Sequence, residues 1–245
     1  MRLEMDQPYG KAPYQLLDWY LPDEEGFDIV IWFHGGGIEQ GSRKGGKALA
    51  QQAVANGYGF VSVCYKLYPE ARFPEFLLDA AAAVAFVIKE MEQYGGRRVI
   101  VSGGSAGAYL IMMLALNKAY LRNAGADRSR ILAFVSDSAQ MTTHFNVLRE
   151  RGQDSRLERI DDAAPLYYSG VFPQTEPLLL ISYENDMECR LEQNRLMLRS
   201  LRRFNPETPI ELVVLPGGHC AGSTKVNEEG AYPFLVEMFS FVKKL

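Results

Sequence analysis

The chain has 245 residues, a length that one α/β domain can occupy, and its 47% hydrophobic and 23% charged residues are typical of a soluble globular protein. A formal net charge of -4 provides no basic surface of the kind that binds nucleic acid or anionic lipid, so we expect neither as a partner. We therefore predict a single domain over residues 1–245 that folds without a disulfide or a metal ion.

The cysteines and the N-terminal residues indicate the cellular compartment in which the protein is expected. Cys64, Cys189 and Cys220 are odd in number and show no C-x-x-C spacing, so the sequence predicts neither a disulfide framework nor a zinc site. Residues 1–11 are polar, unlike a secretory signal, and no apolar stretch is long enough to span a bilayer. We expect a cytoplasmic protein with no metal and no cofactor, and a homo-oligomeric state stays open.

Short apolar segments alternate with helix-forming segments along the chain. In chain order, the patterns predict a strand at 27–33, a helix at 47–55, a strand at 59–64, a helix at 75–94, a strand at 98–101, a helix at 108–116, strands at 131–135 and 177–182, a helix at 188–203, a strand at 210–215 and a helix at 230–243. This order favours a mostly parallel sheet with helices on both faces. Reactive groups should then lie at the carboxyl ends of the strands.

The strand at 27–33 ends at His34, Gly35, Gly36 and Gly37. Backbone without side chains can approach a reacting carbonyl closely, so we interpret the amides of Gly36 and Gly37 as oxyanion donors. His34 and Gly35 are expected to orient this loop. A phosphate-binding loop is the alternative, but the segment lacks the G-x-G-x-x-G spacing and a following Lys-Ser/Thr pair.

Residues 103–107 read Gly-Gly-Ser-Ala-Gly, directly after the strand at 98–101 and before the helix at 108–116. This G-x-S-x-G pattern predicts a sharp strand-to-helix turn, in which a Cβ at position 103 or 107 would crowd the backbone. Ser105 is therefore the candidate nucleophile, and the amide of Ala106 is the third expected oxyanion donor. Taken alone, the same residues also fit an ordinary tight turn capped by a serine.

Only three histidines occur in the chain, at positions 34, 144 and 219, so the choice of a general base is narrow. His219 follows the strand at 210–215 and precedes the last helix, where a loop can place an imidazole over Ser105. His144 lies in an irregular stretch with no strand end nearby, and we interpret it as a surface or substrate-lining residue.

The acid is expected after the strand at 177–182, where residues 183–188 read Tyr-Glu-Asn-Asp-Met-Glu. Asp186 is the candidate because it stands just before the predicted helix, whereas Glu184 is close to the strand and Glu188 would be carried away on the helix. A buried aspartate that accepts the Nδ1 proton would hold the imidazole tautomer and stabilise the imidazolium. Asp137, after the strand at 131–135, is the outside alternative.

Residues 65–79 read Tyr-Lys-Leu-Tyr-Pro-Glu-Ala-Arg-Phe-Pro-Glu-Phe-Leu-Leu-Asp, a long and specific pattern. With residues 34–37 and 103–107 it resembles the bacterial acetyl esterase and lipase group of α/β-hydrolases, related to hormone-sensitive lipase, over nearly the whole chain. The resemblance implies the α/β-hydrolase fold, and the order of serine, acid and histidine agrees with it. The chain departs from the family at its short N-terminal segment, so we expect only a small lid, at 138–161.

Together, these features predict a serine hydrolase that cleaves a small or short-acyl ester through a Ser-His-Asp triad and an acyl-enzyme intermediate. An amide-cleaving relative, such as an arylformamidase or a small peptidase, would use the same triad and stays an alternative. A non-catalytic ligand-binding member of the fold is a further alternative, against which the intact triad and glycine loop argue. For either of the two catalytic interpretations, the expected partner is a small-molecule substrate.

Overall fold

Eight strands form one sheet in the computed structural model, which describes residues 1–173 and 176–245. The strands are β1 (Arg2–Pro8), β2 (Leu16–Leu21), β3 (Phe27–Phe33), β4 (Gly59–Val63), β5 (Gly96–Gly104), β6 (Ile131–Asp137), β7 (Leu178–Asn185) and β8 (Ile210–Gly218). Their order across the sheet is β1-β2-β4-β3-β5-β6-β7-β8. Strands β3 to β8 are parallel, and only β1 and β2 pair antiparallel with their neighbours.

Helices cover both faces of this sheet. They are α1 (Lys47–Ala55), α2 (Glu75–Glu90), α3 (Ala106–Leu116), α4 (Ala119–Asn123), α5 (Phe145–Glu150), α6 (Arg190–Phe204), α7 (Ala221–Thr224) and α8 (Pro233–Val242). Helices α2, α3 and α6 pack into the hydrophobic core of one face, and α1 and α8 into that of the other. Every residue of α3 is buried, so the helix after Ser105 lies inside the core and gives the turn a rigid support.

The six strands predicted for the parallel sheet and its two-sided helical cover are confirmed. The hairpin of β1 and β2 was missed, and burial explains why. Almost every residue of β1 is exposed, so this edge strand has no buried face to produce an apolar pattern. Strand β2 is buried, but it follows β1 without an intervening helix and pairs antiparallel with its neighbours. It therefore falls outside the alternation of strands and helices that identified the other strands.

The segment predicted as a lid, residues 138–161, divides into two parts. Residues 138–148 are buried apart from the half-exposed Phe145, whereas most of residues 149–161 are exposed. His144 is only 2% exposed, and its Nδ1 accepts a hydrogen bond from the amide of Asn146 at the start of α5. The interpretation of His144 as a surface residue is therefore wrong. A substrate-lining position of His144 and a lid function of the segment stay predictions.

Among the helices of residues 1–173 and 176–245, none combines the length and the apolar character that a membrane crossing requires.

A buried ion pair fixes the antiparallel hairpin to the parallel part of the sheet. Asp18, on β2, is 1% exposed, and Arg43 donates from Nε to its Oδ1 over 2.8 Å. The amide of Asp6, on β1, donates to the same oxygen over 2.8 Å. One carboxylate thus joins β1, β2 and the loop after β3, and its removal leaves a largely buried guanidinium with less compensation.

We expect Asp18→Ala to lower the free energy of unfolding by about 3 kcal/mol, because the guanidinium of Arg43 loses its buried partner and keeps only the ion pair with the exposed Asp6. The matched control is Asp28→Ala, since Asp28 pairs with the more exposed Arg98, and its loss should cost less than about 1 kcal/mol. Urea unfolding monitored by circular dichroism measures both. Equal costs for the two substitutions would contradict the structural importance of the buried pair.

Candidate active site

Ser105 occupies the turn between β5 and α3 with φ 53° and ψ -112°. A residue with a side chain rarely adopts a positive φ, and here the surroundings hold it. A Cβ on Gly103 would lie 2.5 Å from the carbonyl carbon of Gly107, and a Cβ on Gly107 would lie 2.0 Å from the carbonyl oxygen of Phe33. Both glycines are therefore required for the turn, for the steric reason that the motif predicted.

The structure brings Ser105, His219 and Asp186 together in one chain of hydrogen bonds. His219 Nε2 lies 2.8 Å from Ser105 Oγ, and His219 Nδ1 lies 2.6 Å from Asp186 Oδ1. Asp186 follows β7 directly and His219 follows β8, so the three groups meet at the carboxyl edge of the sheet. The imidazole can therefore accept the serine proton at one nitrogen while the carboxylate holds the other.

The environment of Asp186 favours its ionised form. Burial of the carboxylate raises its pKa, but hydrogen bonds from His219, the amide of Met187 and the hydroxyl of Ser138 outweigh burial, so the pKa lies below its ordinary value. The side chain is 1% exposed. A buried aspartate that stays ionised is suited to stabilise an imidazolium beside it.

The other candidate acids occupy different places. Glu184 and Glu188 are exposed to solvent. Asp137, at the end of β6, is fully buried, but its Oδ1 accepts a hydrogen bond from the hydroxyl of Tyr183 over 2.8 Å rather than contacting His219. Burial raises the pKa of Asp137 to about 6, against the lowering effect of its hydrogen bonds. This carboxyl group is therefore protonated far more readily than Asp186.

The glycine loop packs directly against the turn at Ser105. A Cβ on Gly35 would lie 3.2 Å from Ser105 Cβ, while Gly36 and Gly37 have φ values of 111° and 66°. The carbonyl of Gly36 accepts the amides of residues 39 and 40, and the carbonyl of Gly37 accepts the side-chain amide of residue 146. Within residues 1–173 and 176–245, no hydrogen bond occupies the amides of Gly36, Gly37 and Ala106. These three donors remain available to a ligand.

His34 lies behind this loop. Its ring stacks on Tyr65 at 4.5 Å between centroids, and the Tyr65 hydroxyl donates to the carbonyl oxygen of His34 over 2.8 Å. His34 Nδ1 lies 2.8 Å from the carbonyl oxygen of Gly35, which places the proton on Nδ1 because a carbonyl only accepts. Burial lowers the pKa of His34, against the raising effect of its hydrogen bond to Gly35, which favours the neutral ring. These contacts suit the predicted role of orienting the loop.

Two cavities adjoin at this edge of the sheet. The first, of about 550 Å³, contains Ser105 and His219 and is bordered by Trp32, Phe145 and Met187. The second, of about 740 Å³, shares Phe145 and Met187 with it and has a polar wall made by residues 154–158 and 188–190 among others. In the part of the chain that the structure describes, no three His, Cys, Asp or Glu side chains gather as a metal site would require.

Sequence reasoning missed two residues that touch the site. Tyr65 opens the 65–79 pattern, so its position in that pattern is a usable signal for its contact with His34. Ser138 donates a hydrogen bond from Oγ to Asp186 Oδ2 over 2.8 Å. It stands in a Ser-Asp-Ser stretch 48 positions before Asp186, and nothing in the sequence distinguishes it.

We expect Asp137→Asn to change how stability depends on pH. Because the pKa of Asp137 in the folded protein, about 6, exceeds the ordinary value of 3.8, its stabilising effect is fully present below roughly pH 4 and is lost as the pH rises through roughly pH 6. The unfolding free energy of the wild type should thus fall by about 3 kcal/mol relative to the variant between these limits. Urea unfolding at stepped pH values measures this difference. A constant difference would mean that Asp137 titrates normally.

Comparison with known proteins connects this geometry to a family. The BD-FAE family model matches residues 17–201. Esterase LipC from Mycobacterium tuberculosis (strain ATCC 25618 / H37Rv) is 27% identical over 241 residues, which cover 86% of this chain and 58% of LipC. Kynurenine formamidase from Danio rerio is 34% identical over 112 residues, which cover 45% of this chain and 38% of that protein. The chain thus spans less than two thirds of the length of these relatives.

Among solved structures, esterase B from Lactobacillus rhamnosis superimposes with a TM-score of 0.80 at 19% sequence identity, covering 99% of this chain and 86% of that one. This likeness confirms the predicted α/β-hydrolase fold. The resemblance to esterases and lipases related to hormone-sensitive lipase is confirmed as well. Since the family model matches most of its length, the chain belongs to the BD-FAE family and has the α/β-hydrolase fold.

Proposed function

We propose that this chain is a serine esterase that hydrolyses small or short-acyl esters through Ser105, His219 and Asp186. The observation that carries the proposal is the position of the His219 ring, which lies within hydrogen-bonding distance of the Ser105 hydroxyl on one side and of the Asp186 carboxylate on the other. A base-activated hydroxyl of this kind is the group that acyl transfer requires. The similarity to esterases such as LipC supports the same reaction class.

In the proposed reaction, Ser105 Oγ attacks the ester carbonyl while His219 Nε2 takes the serine proton. The carbonyl oxygen becomes an oxyanion, for which the amides of Gly36, Gly37 and Ala106 are the proposed donors. His219 then gives its proton to the leaving alcohol, and an acyl-enzyme remains on Ser105. Water activated by His219 releases the acid and restores the hydroxyl.

The lining of the cavity at Ser105 suits an acyl group. Its volume is about 550 Å³, and the ring of Trp32 and the side chains of Leu49 and Phe145 border it together with the catalytic groups. These apolar walls suit a hydrocarbon chain, because its burial there removes apolar surface from water. The adjoining polar cavity leaves room for the other portion of the ester.

The direct test is covalent labelling with a fluorophosphonate, combined with hydrolysis of p-nitrophenyl acetate. We expect one adduct, on Ser105, because an activated hydroxyl beside oxyanion donors attacks phosphorus electrophiles. Ser105→Ala should lose both labelling and turnover while its melting temperature stays close to that of the wild type. Folded wild-type protein that neither labels nor turns over would contradict catalysis and favour a ligand-binding member of the fold.

The acid is tested by comparing Asp186→Asn with Glu184→Gln and Asp137→Asn at equal folding. An asparagine at the true acid presents the wrong partner to the imidazole and should lower kcat by about 10⁴-fold. The exposed Glu184 and the Tyr183-bonded Asp137 should each matter far less, because neither contacts His219. A large loss with Asp137→Asn, and near-wild-type activity with Asp186→Asn, would move the acid to β6.

A second candidate function is cleavage of an amide by the same residues. It is favoured by the 34% identity to kynurenine formamidase from Danio rerio over 112 residues. The triad geometry serves both reactions, so the leaving group decides between them. A panel of p-nitrophenyl esters of increasing acyl length, run beside N-formylkynurenine, compares kcat/KM for the two classes. Higher kcat/KM for N-formylkynurenine than for every ester would replace the ester assignment.

A further inference from the structure

Ser138 contacts two parts of the triad through one hydroxyl group. Its Oγ donates to Asp186 Oδ2 over 2.8 Å and accepts the amide of Cys220, the residue after His219, over 3.1 Å. Asp186 follows β7, whereas His219 and Cys220 follow β8. Asp186 and Cys220 are 34 positions apart in the chain. Ser138 therefore connects the two segments independently of the bond between Asp186 and His219.

Hydrogen bonds from neighbouring segments hold the backbone of Ser138 in a left-handed conformation that a serine rarely adopts. Its φ is 59°, in the left-handed region that disfavours residues with a side chain. Its amide donates to the carbonyl oxygen of Ile181 on β7 over 2.8 Å, and its own carbonyl oxygen accepts Arg190 Nη1 over 2.6 Å. Arg190 is 4% exposed, so this contact is made inside the protein by a buried cation.

Two further side chains near the start of α6 also form hydrogen bonds with the backbone after Ser138. Asn194 donates from Nδ2 to the carbonyl oxygen of Ala139 over 2.9 Å, and Gln193 accepts the amide of Met141 over 2.8 Å. With the Arg190 contact, three side chains of one helix bind the backbone of residues 138–141. Such a set of buried hydrogen bonds leaves the Ser138 hydroxyl little freedom to point elsewhere.

We propose that Ser138 is a positioning residue that fixes Asp186 and the His219 loop relative to each other. The proposal rests on the proposed function, since it assigns Ser138 a task within that triad. Ser138 is fully buried and is absent from the walls of both described cavities, so it acts through Asp186 and Cys220 and not through the substrate.

Two substitutions test the hydroxyl separately from the backbone. Ser138→Ala removes the hydroxyl, and Ser138→Gly removes it while accepting the positive φ readily. Both should lower kcat by about 10- to 100-fold, as expected for loss of a hydrogen bond to a charged group, with KM within about twofold of the wild type. The matched control is Ser136→Ala, two positions earlier in β6, because the fully buried Ser136 Oγ has no hydrogen-bond partner within the described residues.

A double substitution distinguishes positioning from a general structural effect. In an Asp186→Asn background, Ser138→Ala should lower kcat by less than about twofold, because residues that act as one unit are not additive. A merely structural contribution would instead lower activity by the same factor in both backgrounds. Melting temperatures of all variants show whether folding is intact.

A readout without turnover separates this proposal from the esterase assignment. The proton between His219 Nδ1 and Asp186 Oδ1, which are 2.6 Å apart, should give a low-field proton resonance that is lost or shifted in Ser138→Ala and Ser138→Gly but kept in Ser136→Ala. Failure of the wild type to hydrolyse esters would overturn the proposed function and leave this spectroscopic test intact. An unchanged resonance in both folded Ser138 variants, or wild-type kcat in Ser138→Gly, would overturn the positioning role.

Discussion

The turn at Ser105 holds a side chain at a φ of 53°, and this strain is tolerated only where neighbouring atoms leave room and bind the backbone. Gly107 supplies the room by letting the helix approach the carbonyl oxygen of Phe33, the last residue of β3. The glycine loop begins at the next residue, so the same close approach brings the loop to Ser105. On the other side, the amide of Ser105 donates to the carbonyl oxygen of Asp137 and fixes the turn to β6.

Two carboxylates near this turn have different pKa values because their burial and their hydrogen-bond donors differ. Asp186 accepts hydrogen bonds from His219, Met187 and Ser138, which keep its pKa low despite burial. Asp137 is fully buried and its pKa rises to about 6, since Tyr183 and its other neighbours compensate desolvation only in part. Burial and the donors around each carboxylate, and not the distance along the sheet from Ser105, therefore decide which of the two has the lower pKa. A sequence can indicate where an acid is expected, but it does not show how many donors surround each candidate.

The sequence predicted the parallel sheet well because β3 and its neighbours are apolar runs that end at glycines or polar residues. It also predicted which residues meet at Ser105, since the chain has only three histidines and strand ends meet at one edge of the sheet. The hairpin of β1 and β2 and the contacts of Ser138 were not predictable in the same way. The hydroxyl of Ser138 binds the amide of Cys220, 82 positions later, and no local pattern reports a contact of that range.

The hydrogen bonds between side chains of α6 and the backbone of residues 138–141 also limit how the predicted lid segment can move. A displacement that began at Ser138 would break its hydrogen bond to Asp186 and would leave Arg190 buried without its carbonyl partner. Residues 149–161 carry no such constraint on the triad, and residues 154–158 of this part border the polar cavity. Movement of the exposed part would therefore reshape the polar cavity while the hydrogen bonds among Ser105, His219 and Asp186 stay in place. Residues 138–141 of this segment thus hold the surroundings of Asp186, and residues 154–158 border the polar cavity, so two separate parts of one segment contact different parts of the proposed site.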